Sequence, residues 1–199
     1  MQKDFTMKLL LTGFEPFGKI QINPSQLIVE HFAKQGNTSV VTEILPVVYK
    51  AAGECIKDLF SQHQPDAILM LGVAGNREEI NLERIAINVN DAAIADNKGF
   101  HAQGQRIIEN APVGYWSTLP LLQIHEAISQ EGIAVKYSNH AGAYLCNHVF
   151  YSARHLLETT RQAQIPCGFI HVPPLEKMEI SLQIRAIEAG MGCLRTPTN

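Results

Sequence analysis

The chain has no apolar run near the ~20 residues that a membrane-spanning helix needs. It also lacks an excess of either charge. Lys and Arg number 16 against 19 Asp and Glu, for a net charge of -3, and the two signs are mixed along the chain. No basic stripe exists for nucleic acid or an anionic membrane, so neither is expected as a partner. Cysteine is scarce, and the four present (Cys55, Cys146, Cys167 and Cys193) show no metal-type spacing. No metal is expected from them. A signal-peptide core is missing too, because Leu9-Leu10-Leu11 is too short and the residues before it are polar and mixed in charge. Residues 1–6 read as a loose leader. The expected location is the cytoplasm, where cysteines stay reduced.

What is present is a globular composition, with 46% hydrophobic and 18% charged residues in 199. That balance argues against disorder. A chain of this size buries roughly 70 per cent of its unfolded surface and needs no disulfide to fold. No repeat and no linker divides it, so residues 1–199 are expected to form one domain. Short apolar runs alternate with amphipathic stretches. Strands are expected at Leu9–Thr12, Val40–Leu45, Ala67–Gly72, Ile80–Asn90, Val135–Ser138 and Phe169–Val172. Helices are expected from Asn23-Pro24-Ser25, and over Tyr49–His63, Leu119–Glu131, Asn147–Thr160 and Glu176–Ala189. Residues 91–118, rich in Asn, Asp, Gly and Pro, read as a long functional excursion. Such alternation implies an α/β fold with a mostly parallel sheet covered on both faces. Reactive groups are then expected beyond the carboxyl ends of the strands.

Three residues fit that rule. Cys146 lies between a strand with its turn and a helix. A thiol at a helix N-terminus faces unpaired N–H groups and the positive end of the dipole, and both favour the nucleophilic thiolate. The bland alternative is a buried, inert cysteine. His171, in Phe169-Ile170-His171-Val172-Pro173-Pro174, sits where a strand is ending and suits a base; with eight histidines in the chain, an edge histidine without chemistry is the alternative. Glu83 stands between apolar neighbours and needs a partner if buried. It could orient the base, or form a plain salt bridge with Arg84 or Arg77. Phe14 and Phe17, in Gly13-Phe14-Glu15-Pro16-Phe17-Gly18, suit an apolar ligand wall or the core. That loop lacks the glycine spacing and lysine of a phosphate cradle. Cys146 with His148 and His140 fits no common zinc spacing.

The order of five motifs is more specific than any one of them. Leu10-Leu11-Thr12-Gly13-Phe14-Glu15-Pro16-Phe17-Gly18, Asn23-Pro24-Ser25, Glu83-Arg84-Ile85-Ala86-Ile87-Asn88, Ala141-Gly142-Ala143-Tyr144-Leu145-Cys146-Asn147 and Phe169-Ile170-His171-Val172-Pro173 occur in sequence. From about residue 8 to about residue 190 the chain resembles the pyroglutamyl peptidase I (pyrrolidone-carboxylate peptidase) family. The resemblance implies a three-layer α/β/α sandwich with a twisted sheet, a homotetramer, and no metal or cofactor. It implies a cysteine (omega) peptidase acting on peptides with an N-terminal pyroglutamyl residue. The catalytic positions would be Cys146, His171 and Glu83, and the ring-binding aromatics Phe14 and Phe17. Two positions depart from the family. Val73 stands where glutamine is frequent and is carried as a substrate-binding position, and Ala93 stands where arginine is frequent. The rival readings are a non-catalytic small-molecule binder, a thiol amidase for another acyl group, and, more distantly, a nucleoside phosphorylase-like protein.

Overall fold

The computed structural model describes residues 7–194. The loose leader expected at residues 1–6 lies outside the described residues. Within them, strands and helices follow one another in the expected alternation. They are β1 (Leu9–Phe14), α1 (Pro24–Lys34), β2 (Val40–Leu45), α2 (Tyr49–His63), β3 (Ala67–Val73), β4 (Ile80–Ile87), β5 (Asn90–Asp91), β6 (Gln103–Gln105), β7 (Gly114–Trp116), α3 (Leu121–Gln130), β8 (Val135–His140), α4 (Leu145–Thr159), β9 (Cys167–Val172) and α5 (Ile180–Leu194).

Among the described residues, seven strands form one sheet in the order β2-β1-β3-β9-β4-β7, with β8 on the other edge of β4. The pairs β1–β2, β1–β3, β3–β9 and β4–β8 are parallel, while β4 runs antiparallel to β9 and to β7. The sheet is therefore α/β and mostly parallel, as the alternation implied. Strands β1, β3 and β9 are buried along their whole length, which is why they read as nearly unbroken apolar runs.

Alternate residues of these strands feed two apolar clusters. Leu10, Ile68, Met70 and Phe169 pack under α2 and α4, with Ile56, Phe60, Val149 and Phe150. Leu11, Leu69, Leu71 and Ile170 pack under α1, α3 and α5, with Ile28, Phe32, Ile124 and Ile187. This side-to-side division is the period-2 signature of a strand and gives three layers.

Local sequence explains the helix boundaries. Asn23 caps α1 by accepting the Ser25 N–H at 3.1 Å, and Pro24 fills the first turn. Ser25 Oγ in turn accepts the Phe14 N–H at 3.0 Å, tying the end of β1 to α1. Helix α2 has no side-chain cap of its own. Asp96 supplies one from the excursion, taking the Tyr49 N–H at 3.2 Å. Gln64 ends α2 in the left-handed region, at φ 45°.

Several boundaries differ from the sequence reading. β1 runs on to Phe14, so that residue belongs to the strand and not to the following loop. β4 stops at Ile87, because Asn147 takes over the Ile87 backbone. α4 starts at Leu145, which places Cys146 inside its first turn. α3 starts at Leu121, after Pro120. α5 starts at Ile180, because residues 174–178 form a turn on the Pro174 carbonyl. The excursion is not all loop: β5 and β6 pair with each other and β7 joins the main sheet. Asn88 organises its interior, accepting the Ile107 and Ile108 N–H groups at 2.9 and 3.0 Å.

Helices α2 and α4 approach closely at Gly53, where a Cβ would stand 2.8 Å from His148 Nε2. His148 meets the Tyr49 ring edge-on at 5.3 Å, and its Nδ1 lies 3.1 Å from Asn90 Oδ1. Burial, with a smaller contribution from the Lys57 charge, pushes the His148 imidazole down to about 4. Its ordinary value is ~6.5. Well above that value the ring is neutral in folded and unfolded chains alike and costs nothing. As pH falls from 6.5 to 4, the unfolded chain takes a proton that the folded chain refuses, so stability is lost. The loss from this group amounts to about 2 kcal/mol between pH 7 and pH 5. Urea unfolding at the two pH values checks this. His148→Gln is expected to show a pH dependence shallower than the parent by that amount, and equal dependences would contradict it.

Candidate active site

The site is assembled where β3 and β9 end and β4 begins, against the start of α4. In the parallel ladder Gly72 pairs with His171. In the antiparallel ladder Asn81 pairs with the same His171. Glu83 follows two residues after Asn81, so it faces the same side of the sheet. That side is the one covered by α2 and α4, since Phe169, two residues before His171, belongs to their cluster. Cys146 packs at the edge of that cluster. A Cβ on Gly72 would stand 2.7 Å from Cys146 Sγ and 2.8 Å from the Phe169 ring. Glycine at position 72 thus leaves room for the sulfur beside the strand that neighbours His171. The three candidate residues lie on one face of the sheet.

His171 Nδ1 is 2.8 Å from Glu83 Oε1, and both side chains are buried. A carboxylate only accepts, so the shared proton sits on Nδ1 and Nε2 carries the lone pair. The same Glu83 Oε1 accepts from Arg77 Nη1, also at 2.8 Å. The two readings of Glu83 therefore hold together, because it meets the histidine and an arginine. Arg84, the other candidate, alternates to the opposite face. There its guanidinium lies 4.7 Å from the Tyr137 ring centre and 3.3 Å from Asn139 Oδ1.

Burial first, then the Glu83 charge, pushes the Cys146 thiol up to about 12, against the opposing pull of its own backbone N–H and of Arg77. The helix-start argument has the right sign for the backbone contribution but loses to desolvation. Burial also raises Cys55 and takes Cys167 up to about 12. Ionisation does not single out Cys146. Its company does, because Glu83, Arg77 and His171 converge on its side of the sheet.

Phe14 is buried in the cluster under α2 and α4, and Phe17 is half-buried against it. Phe17 packs on the Tyr144 ring at 5.7 Å, immediately before α4. Val73 follows Gly72 and turns to the other side of the sheet. There it lines a cavity of about 430 Å³ with Ile20, Ile22, Pro24, Pro174 and Leu175. Its side chain does not share the Cys146 face, so position 73 can bear on that face through its backbone only. Ala93 is exposed in the excursion. Among the described residues no group of His, Cys, Asp or Glu is arranged to hold a metal.

Two supports escaped the sequence reading. Tyr144 Oη donates to the Ala95 carbonyl at 3.0 Å, joining the start of α4 to the excursion. Asn147, fully buried, accepts the Ile87 N–H at 2.9 Å and donates to the Ile87 and Val89 carbonyls at 2.8 and 3.0 Å. It substitutes for a missing strand neighbour. The sequence signal was a polar residue beside the cysteine on a helix face otherwise apolar.

The sequence and the fold have counterparts among known proteins. The family model described as pyroglutamyl peptidase matches residues 7–191. The pyrrolidone-carboxylate peptidase of Oceanobacillus iheyensis is 42% identical, with 94% of this chain and 98% of that one covered. That of Bacillus velezensis is 41% identical over 83% of this chain and 78% of the other. A solved structure of a mutant pyrrolidone carboxyl peptidase from the hyperthermophile Pyrococcus furiosus superposes with a TM-score of 0.89 at 33% identity, covering 94% of this chain and 98% of that one.

Two substitutions test the seating of the sulfur. Gly72→Ala is expected to keep the fold and push Sγ away from β3; a variant structure with the sulfur in its original place would contradict this. Asn147→Ala leaves one buried N–H and two carbonyls without a side-chain partner. It is expected to cost about 3 kcal/mol in urea unfolding.

Proposed function

The chain belongs to the pyroglutamyl peptidase family, and on that premise we propose that it cuts an N-terminal pyroglutamyl residue from peptides, with Cys146 as nucleophile, His171 as base and Glu83 as the carboxylate that orients the base. One observation carries this reading: the Cys146 sulfur stands against Gly72, the strand neighbour of a buried histidine whose Nδ1 is held by a buried carboxylate.

A thiol this reluctant to ionise has to be deprotonated during the reaction, not before it. As Sγ attacks the carbonyl carbon of the pyroglutamyl residue, its proton passes to His171 Nε2. The S–C bond forms, and the negative charge moves to the carbonyl oxygen. The N–H groups in the first turn of α4 have no acceptor within the helix and suit that oxyanion. Collapse breaks the C–N bond, and His171 gives its proton to the departing amine. Water then attacks the thioester. His171 takes one proton from it, the hydroxyl joins the acyl carbon, and free pyroglutamate leaves as the thiol regains its proton. Glu83 favours the imidazolium at both stages.

Pyroglutamate offers an apolar ring, one N–H and one ring carbonyl. Phe14 and Phe17 would enclose the methylenes, while backbone groups, including those at Val73, pair with the lactam edge. Proline has the ring without its carbonyl, and a site built to pair such a group rejects the analogue by about 10⁴-fold. Enclosure of the lactam nitrogen would restrict the cut to the N-terminus. The proposal extends to one catalytic domain and a cytoplasmic location, on the sequence pattern, and to a homotetramer, on the family resemblance. Among the described residues no helix is long and apolar enough to cross a membrane.

On a fluorogenic pyroglutamyl amide, Cys146→Ala and Cys146→Ser are expected to lose about 10³-fold or more of turnover. The parent enzyme is expected to cleave the pyroglutamyl amide and leave the prolyl and glutaminyl amides intact. Undiminished turnover in Cys146→Ala would overturn the nucleophile assignment. A preference for another acyl group would overturn the substrate.

A further inference from the structure

We propose that Arg77 is a positioning residue of this reaction: it holds the buried Glu83 carboxylate ionised and in place for His171, and it balances the charge that the Cys146 sulfur acquires. The inference rests on the thiol mechanism above and goes beyond it.

The geometry is specific. Glu83 is fully buried, and a buried carboxylate without a counter-charge is costly. His171 cannot be that counter-charge throughout, because a base has to be neutral before it accepts a proton. Arg77 is permanently charged. Its Nη1 and His171 Nδ1 both lie 2.8 Å from one oxygen, Oε1, while Oε2 accepts from no donor among the described residues. Arg77 comes from the turn after β3, where its N–H donates to the Ala74 carbonyl at 3.1 Å. It reaches Glu83 from the turn that follows the strand carrying Gly72. The turn beside the thiol and the carboxylate behind the base are thereby joined by one side chain.

Other charges nearby are engaged elsewhere. Glu78 binds Lys177 Nζ at 2.7 Å and Glu79 pairs with Lys136, all around the rim. From β9 the facing group is His171, and from α4 it is Cys146. Arg84 lies on the far face. With Arg77 present, the resting set of Arg77, Glu83, neutral His171 and neutral thiol has no net charge. The imidazolium–thiolate pair keeps that balance. Without Arg77 the set is one unit more negative throughout. The Glu83 charge then bears unopposed on the sulfur, the direction in which it already pushes that thiol.

The test is the pH profile of kcat/KM on a pyroglutamyl amide for the parent, Arg77→Met and Arg77→Lys. Removing a positive charge favours the protonated form at both limbs of the bell. Arg77→Met is therefore expected to move both limbs to higher pH by about one unit, with a lower maximum. Arg77→Lys, which keeps the charge, is expected to return both limbs to within a few tenths of a unit of the parent. A lower maximum with unmoved limbs would mean a structural role only and overturn the proposal. So would a lysine variant that behaves like the methionine one. Cys146→Ala separates the two layers. If it keeps turnover, the thiol mechanism itself is wrong; if it loses turnover while Arg77→Met keeps the parental bell, only the role of Arg77 is wrong.

Discussion

A negative charge sealed inside the protein is the constraint on which the site depends. Glu83 is fully buried, so its neighbours have to supply a proton and a cation. The histidine supplies one from β9 and the arginine one from the turn after β3. Breaking the arginine contact strands a buried charge, which is far costlier than losing a surface pair. The Glu83 contact fixes the Nδ1 proton of His171, the nearest strand neighbour of Gly72, and the sulfur rests against that glycine.

The sheet brings these groups together through the reversal in its direction between β9 and β4. β1, β2, β3 and β9 run parallel, as crossover helices require, but β4 meets β9 antiparallel. Asn81 thereby lies opposite His171, and Glu83 comes within reach of the imidazole. The outer residues of β4 remain free to hold β7 and, through Asn147, the start of α4. One strand therefore carries the Glu83 carboxylate, anchors the helix that bears Cys146 and supports the excursion.

The layers and most elements were legible because strands buried on both faces read as apolar runs and amphipathic helices as periodic ones. Cys146 and His171 were legible as strand-end residues, and Glu83 as a polar residue in an apolar run. The family resemblance, more than any one of these signals, joined them. The partner of Glu83 was narrowed to Arg77 or Arg84 and no further. That choice depends on which way a strand faces, and only the fold decides it. The ionisation of Cys146 was misjudged, because a helix start is visible in the sequence while the packing that desolvates a sulfur is not. Asn147 and Tyr144 escaped notice because their partners lie dozens of residues away. The end of β4 was misplaced because a side chain, Asn147, finishes the ladder.

The bonds around residues 95–97 carry one more consequence. Asn97 donates to Glu15 Oε1 at 2.8 Å and to the Pro16 carbonyl at 3.1 Å, while Tyr144 donates to Ala95. A single short stretch of the excursion thus grips the loop bearing Phe17 and the residue two places before Cys146. An enzyme in which that stretch were shortened would not merely lose surface. Its aromatic loop and the Cys146 sulfur would cease to share a common frame, and each would shift without the other.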